Sequence, residues 1–171
     1  VLKLLSANKI LLVTDAGVVK AGLADKIEKN IRNCNIPYVV YDKVEPDPDM
    51  ETVRNGLEIA KSEECNFILG LGGGSSLDAA KVISLLLTHD GDVSDYEGVG
   101  VIPEEPLVPL LGIPTTAGTG SEITMAALIT DKDRGEKISL IGPSLSYNVA
   151  IVDPVMTLTM PSSITASTGM D

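Results

Sequence analysis

The stretch FILGLGGGSSLDAAK, residues 67–81, decides the fold because it leads from a buried strand through a glycine-rich turn directly into a helix. The run Phe67–Leu71 carries no polar side chain, which is typical of a strand covered on both faces. A helix is expected from about Ser75, and Leu85–Leu87 make it apolar almost all round. The pattern therefore predicts a central strand and a central helix of an α/β domain.

Two similar strand–helix units precede this stretch. Ile10–Val13 and Pro37–Tyr41 have the composition of strands. A single helix is expected over residues 17–34, because Val19, Leu23, Ile27 and Ile31 recur every four residues, and a second is expected after Asp47-Pro48-Asp49. Three units in a row predict a Rossmann-like, doubly wound parallel sheet with right-handed crossovers. Ligands bind such sheets at the carboxyl ends of the strands.

The second half of the chain predicts an appended β-hairpin. A further buried strand is expected over Val108–Ile113. Glu122–Thr130 and Lys137–Ile141 then flank the polar residues 131–135, as the two arms of a hairpin do. A last strand is expected over Val149–Val152, and a short helix is expected after Pro161.

The charge of the chain excludes some classes of binding partner, and its cysteines indicate the cellular compartment. The 171 residues include 13 Lys and Arg against 24 Asp and Glu, a net charge of -11. An acidic chain without a basic cluster repels nucleic acid and anionic lipid, so we expect neither partner. No apolar run approaches the length of a membrane span. Cys34 and Cys65 lack a CxxC spacing and fit reduced thiols, which predicts a cytoplasmic protein.

The glycine turn itself allows two interpretations. Gly73 and Gly74 let an anion approach main-chain N–H groups at a helix start, and Ser75 can bond a phosphate oxygen. A tight turn in which Ser75 caps the helix has the same composition. The turn is neither a GxGxxG fingerprint nor a Walker A loop. Asp78 and Lys81, one turn apart, are explained equally well as an ordinary helix pair or as cofactor contacts.

A second polar loop, PTTAGTGSE at residues 114–122, follows the strand that ends at Ile113. It contains four hydroxyl side chains and two glycines, which suits either a polar ligand or a solvated loop. Together, GGGSSLDAAK and PTTAGTGSE resemble the iron-containing (group III) alcohol dehydrogenase family. The closing segment from Val149 to Asp171 is also similar to that family. The resemblance extends from Leu12 to the last residue.

The resemblance implies a dehydroquinate synthase-like N-terminal domain. Residues 1–160 would be the dinucleotide-binding α/β domain, and residues 161–171 would begin a metal-binding, all-helical domain that is absent from this chain. Because the family's metal ligands include three histidines, and His89 matches none of them, the sequence is expected to be part of a longer protein. His89 is expected to be an ordinary exposed or capping residue.

The resemblance also implies an NAD site, residue by residue. Asp15 would meet the adenosine ribose, and its charge would repel the 2′-phosphate of NADP. Asp47 would lie near the adenine side, and it could at the same time cap the following helix. Gly73, Gly74 and Ser75 would hold the pyrophosphate. Thr115, Thr116 and Thr119 would reach the nicotinamide half and the adenine. Lys137, on the hairpin, would bond the nicotinamide ribose and is otherwise a solvated strand charge.

Asp171 matches the first metal ligand of the family, for Fe²⁺ or less commonly Zn²⁺. The implied reaction is hydride transfer between an alcohol and an aldehyde or ketone, with NAD as cofactor and, by resemblance, a homo-oligomeric enzyme. One carboxylate binds a divalent cation weakly, so the isolated chain is expected to have no useful turnover. Two alternatives stay open: a zinc-dependent glycerol or polyol dehydrogenase relative, and a non-catalytic nucleotide-binding module.

Overall fold

The structure, a computed structural model, describes residues 1–170. The strands are β1 (Ile10–Val13), β2 (Tyr38–Tyr41), β3 (Phe67–Gly72), β4 (Gly98–Val99), β5 (Leu110–Pro114), β6 (Ala126–Asp131), β7 (Glu136–Ile141) and β8 (Val149–Ala150). The helices are α1 (Ala16–Lys20), α2 (Leu23–Asn33), α3 (Met50–Ser62), α4 (Gly74–Thr88) and α5 (Ser162–Thr168). The predicted alternation of strand and helix in the first half is confirmed.

The main sheet is parallel and has the order β2-β1-β3-β5-β8. Leu12 of β1 pairs with Val40 on one side and with Leu69 on the other. Strand β2 is therefore added on one side of β1, and the later strands, from β3 onward, are added on the other side. The reversal of strand order lies between β1 and β3, where doubly wound sheets form their ligand crevice.

Each face of the sheet packs against its own helices. Leu11, Val13 and Ile68 belong to one apolar cluster, with α3 and α4. Ile10, Leu12 and Leu69 face the other way and pack with α1 and α2. Because alternate residues of a strand point to opposite faces, an unbroken apolar run such as Ile10–Val13 fills both cores at once.

The predicted hairpin is confirmed as the pair β6 and β7, in which Ile129 lies opposite Ile138, although its first arm begins at Ala126 rather than at Glu122. The short strand β4, which the sequence did not predict, adds to β7 in parallel and completes a three-stranded sheet. The hairpin lies against the turn between β2 and α3, where the backbone N–H of Thr130 donates to the carbonyl oxygen of Pro48 over 2.8 Å.

Three details of the prediction are wrong. The helix expected over residues 17–34 is two helices, because Gly22 takes a left-handed conformation with φ of 72° between them. Val19 consequently falls on the exposed side. Helix α3 is capped by Asp49, whose carboxylate accepts from the N–H of Thr52 over 2.7 Å, and Asp47 has no capping role.

Helix α5 follows Pro161, as expected. Of the helices in residues 1–170, none combines the length and the apolar character that crossing a membrane requires. The division into a domain of residues 1–160 and the start of a second domain at 161–171 stays a prediction. Asp171 lies outside the described residues.

Candidate functional site

The candidate site lies where β1, β3 and β5 end, because neighbouring parallel strands bring their carboxyl ends to one edge. The sequence of each strand continues there into a predicted site segment: Asp15 after β1, the glycine turn after β3 and the second loop after β5. The N–H of Thr115 donates to the carbonyl oxygen of Gly72 over 2.9 Å. The two loops that the sequence singled out are therefore hydrogen-bonded to each other where they leave their strands.

The glycine turn presents the start of α4 to this edge. Gly73 is the N-cap residue, and no side chain caps the helix, so the interpretation of Ser75 as a cap is wrong. The first turn of α4 also carries no acidic residue. Its unpaired N–H groups and the positive end of the helix dipole are thus free to favour an anion.

Close packing explains why the turn is built from glycine. A Cβ atom on Gly72 would lie 2.5 Å from Oγ of Ser76, and its φ of 153° disfavours any side chain. A Cβ on Gly73 would lie 3.2 Å from Cγ2 of Thr116, and one on Gly74 would lie 3.3 Å from Cγ2 of Thr119. The second loop therefore packs directly over the glycine turn.

Thr116 contributes a second sign of a ligand site. Its Oγ1 atom is buried and has no hydrogen-bond partner among the described residues. A buried hydroxyl without a partner costs free energy unless a ligand or water satisfies it. Thr115, the neighbouring predicted contact, is 6% exposed, which leaves it little surface for a ligand.

Asp15 is held firmly at the same edge. One carboxylate oxygen accepts from the N–H of Val18 over 3.0 Å and caps α1. The other oxygen accepts from the hydroxyl of Ser76 in the first turn of α4, also over 3.0 Å. Asp15 therefore ties the end of β1 to the glycine turn and places a negative charge beside it.

Asp47 and Lys137, both predicted to contact cofactor, form an ion pair. Nζ of Lys137 lies 2.5 Å from a carboxylate oxygen of Asp47, and both side chains are more than half exposed. Asp47 has a left-handed backbone with φ of 55°, which aspartate tolerates better than most residues. The pair links the hairpin to the turn before α3, at a position open to solvent. With this pair intact, Asp47 and Lys137 lie at the same end of a bound dinucleotide, so the expected separation, with Asp47 near the adenine and Lys137 at the nicotinamide ribose, requires the pair to open.

Comparison with known proteins identifies the family. The model of the family described as "Iron-containing alcohol dehydrogenase" matches residues 1–154. The chain belongs to this family. The resemblance carried by the two loops is therefore confirmed.

Relatives within the iron-containing alcohol dehydrogenase family include a choline dehydrogenase of Bacillus subtilis, 46% identical over 98% of this chain. An NAD-dependent methanol dehydrogenase of Bacillus methanolicus is 42% identical over 99% of it. Among solved structures, a 1,3-propanediol oxidoreductase superposes with a TM-score of 0.95 at 38% identity and 99% coverage. The chain spans only 42% to 44% of the length of these three proteins.

The described residues include features that suit a dinucleotide, whereas the predicted metal ligand is not among them. The uncapped helix start, the glycines and the unpartnered hydroxyl of Thr116 suit a pyrophosphate-containing ligand. Within residues 1–170, no three His, Cys, Asp or Glu side chains are grouped so as to hold a metal ion. Asp171, the predicted metal ligand of the family motif, is not among the described residues.

The sequence did not predict the contacts that hold the residues of the site in place. Ser76 was not singled out, although it bonds Asp15. Asp78 and Lys81 are 3.9 Å apart, as an ordinary helix pair would be, but each makes closer hydrogen bonds to the chain after the second loop. Burial lowers the pKa of Lys81 to about 8 and raises the pKa of Asp78. Their spacing on α4 was the available signal, but no sequence feature showed which segment faces them.

Proposed function

We propose that this chain is the NAD(H)-binding part of a metal-dependent alcohol dehydrogenase that interconverts an alcohol and an aldehyde or ketone. The single observation that carries the proposal is the glycine turn at the uncapped start of α4, placed at the reversal of strand order and covered by Thr116 and Thr119. A helix start of this kind favours a pyrophosphate. Membership of the family and the NAD dependence named for the methanol dehydrogenase relative support the choice of dinucleotide.

The proposed contacts divide between the two ends of the cofactor. Gly73, Gly74 and Ser75 would hold the pyrophosphate with backbone N–H groups and a hydroxyl. Asp15 would accept from the adenosine ribose, and Asp47 would lie near the adenine. Thr115, Thr116 and Thr119 would reach the nicotinamide half and the adenine, and Lys137 would bond the nicotinamide ribose.

In the complete protein, NAD supplies the hydride acceptor, and a divalent metal, Fe²⁺ or Zn²⁺, supplies a Lewis acid for the alcohol oxygen. This chain's part is to bind and orient the dinucleotide. Asp171 would contribute one carboxylate ligand. We therefore expect no useful turnover from the chain of residues 1–171 alone, and full activity from it would contradict this proposal.

The relatives favour this function over the alternatives of a zinc-dependent glycerol or polyol relative and of a non-catalytic nucleotide-binding module. The substrate is proposed to be a small alcohol or aldehyde. The homo-oligomeric state, the cytoplasmic location and the lack of nucleic-acid and membrane partners stay predictions.

Titration with NADH and NADPH, followed by nicotinamide fluorescence, tests the proposal. We expect NADH to bind more tightly than NADPH. Gly74→Val would place a side chain against Thr119, at the turn that is proposed to hold the pyrophosphate, and we expect it to raise the Kd for NADH at least about tenfold. Gly22→Asn is the matched control, because Gly22 lies between α1 and α2 with no neighbour within 4 Å of a built Cβ. Failure of the unaltered chain to bind either nucleotide would overturn the proposal.

A further inference from the structure

One face of α4 contacts one continuous segment of the chain. Gly74, Asp78 and Lys81 are spaced four and three residues apart and therefore lie on the same side of the helix. Opposite them runs the linking segment, residues 119–128, which joins the second loop to the hairpin. Gly74 lies under Thr119, as described above. The two charged residues face the rest of the segment.

Lys81 is fully buried and uses all three of its N–H donors on the linking segment. Its Nζ atom donates to the carbonyl oxygen of Ala126 over 2.7 Å and to that of Thr124 over 2.9 Å. The hydroxyl of Thr124 accepts the third bond over 3.1 Å. The ring of Tyr147, with its centroid 5.6 Å from Nζ, covers the ammonium group.

Asp78 holds the same segment at two other points. One carboxylate oxygen accepts from the hydroxyl of Ser121, and the other accepts from the N–H of Leu128 over 3.0 Å. The carboxylate also partly balances the charge of Lys81 at 3.9 Å. Asp78 and Lys81 thus fix the segment from the end of the second loop to the start of β6.

The first part of the linking segment, residues 119–125, has few other contacts that hold it in place. Among residues 119–125, only Ser121 is buried, and it is the residue that bonds Asp78. Residues 126–128 are held in addition by their pairing with β7, and Ala127 is fully buried. Ile123 is 77% exposed and Met125 is 50% exposed, so apolar packing contributes little. Apart from one backbone bond, from the N–H of Gly142 to the carbonyl oxygen of Met125, the position of residues 119–125 relative to the glycine turn therefore depends on polar bonds to α4.

We propose that Asp78 and Lys81 are positioning residues that set where Thr119 and the hairpin's Lys137 lie relative to the glycine turn, and thereby set affinity for the nicotinamide half of the cofactor. The inference rests on the proposed function. Because α4 carries the glycine turn at its start and these two anchors one and two turns later, a single rigid helix relates both halves of the site. Neither residue needs to touch the cofactor.

The test compares NADH with ADP, which lacks the nicotinamide riboside, in Lys81→Met and Ser121→Ala. Each variant removes bonds to the linking segment and leaves the glycine turn unchanged. We expect the Kd for NADH to rise about tenfold in Lys81→Met, as the loss of a few net hydrogen bonds implies, and the Kd for ADP to rise no more than about threefold. Hydrogen exchange at residues 119–128 should quicken in both variants.

Arg54→Met is the matched control, because Arg54 forms an ion pair with Asp92 from α3, away from the linking segment. Arg54→Met should change neither the Kd for NADH nor the Kd for ADP. Ser121→Ala removes only one hydroxyl and keeps the test decisive if Lys81→Met does not fold. Equal weakening of NADH and ADP, or unchanged NADH binding in a folded variant, would overturn the inference. Absence of NADH binding in the unaltered chain would instead overturn the proposed function.

Discussion

Replacement of Asp15 separates the structural role of its carboxylate from its proposed role in cofactor choice. The structure gives it two protein donors, the N–H of Val18 and the hydroxyl of Ser76. Loss of an N-cap costs about 1 kcal/mol, and a hydrogen bond to a charged group contributes about 1.5 to 3 kcal/mol. Since Asp15 is only partly buried, we expect Asp15→Ala to lower the free energy of unfolding by about 2 to 3 kcal/mol.

Asp15→Asn keeps an oxygen for the cap and removes the charge, so we expect it to cost only about 1 kcal/mol. Its effect on the nucleotides should be larger. A phosphate of charge about -2 placed about 4 Å from a carboxylate is repelled by about 2 kcal/mol even in water. Removing that repulsion should therefore raise NADPH affinity by about 10- to 30-fold.

Denaturant unfolding and fluorescence titration with both nucleotides measure these effects in the same three proteins. The NADPH-to-NADH affinity ratio should rise in Asp15→Asn while its stability stays close to that of the unaltered chain. An unchanged ratio would show that Asp15 does not select the cofactor. A loss below about 0.5 kcal/mol in Asp15→Ala would show that its two hydrogen bonds do not stabilise the fold.

Three further predictions concern packing and pH. In Gly118→Ala, the new Cβ would lie 1.6 Å from the carbonyl oxygen of Thr168 at a φ of 145°, so we expect α5 to be displaced and residues 162–168 to exchange amide hydrogens faster; unchanged exchange would contradict the packing. Burial lowers the pKa of Lys81 from 10.5 to about 8, because the folded state disfavours the charged amine. The free energy of unfolding is therefore highest above pH 10.5, and roughly 3 kcal/mol of it is lost as the pH falls through 8. Denaturant unfolding at pH 7.5 and 10 should show that rise with pH in the unaltered chain and not in Lys81→Met. For Asp49, burial acts to raise the pKa, but bonds from Lys132 and Thr52 outweigh it and lower the pKa from 3.8 to about 2. That contribution, roughly 2 kcal/mol, is present above pH 3.8 and lost as the pH falls through 2, and Asp49→Asn should lack this acid-dependent loss in denaturant unfolding.

Several elements could be predicted because their signals are local. Ile10–Val13 and Phe67–Leu71 are apolar throughout, as strands buried on both faces must be. The hairpin followed from two alternating arms around a polar tip. The break after α1 was missed because a left-handed Gly22 interrupts a pattern that otherwise continues with helical spacing.

The sequence by itself determined the doubly wound sheet, the two loops proposed to bind the cofactor and the family, since each depends on residues close together in the chain. Only the tertiary structure decided how those loops are held. Asp47 pairs with Lys137, 90 residues later, and Lys81 bonds the chain 43 to 45 residues later. Contacts across such separations depend on how β1, β3 and β5 bring distant segments to one edge and on which face of α4 meets them, and neither spacing nor composition encodes that in any single stretch.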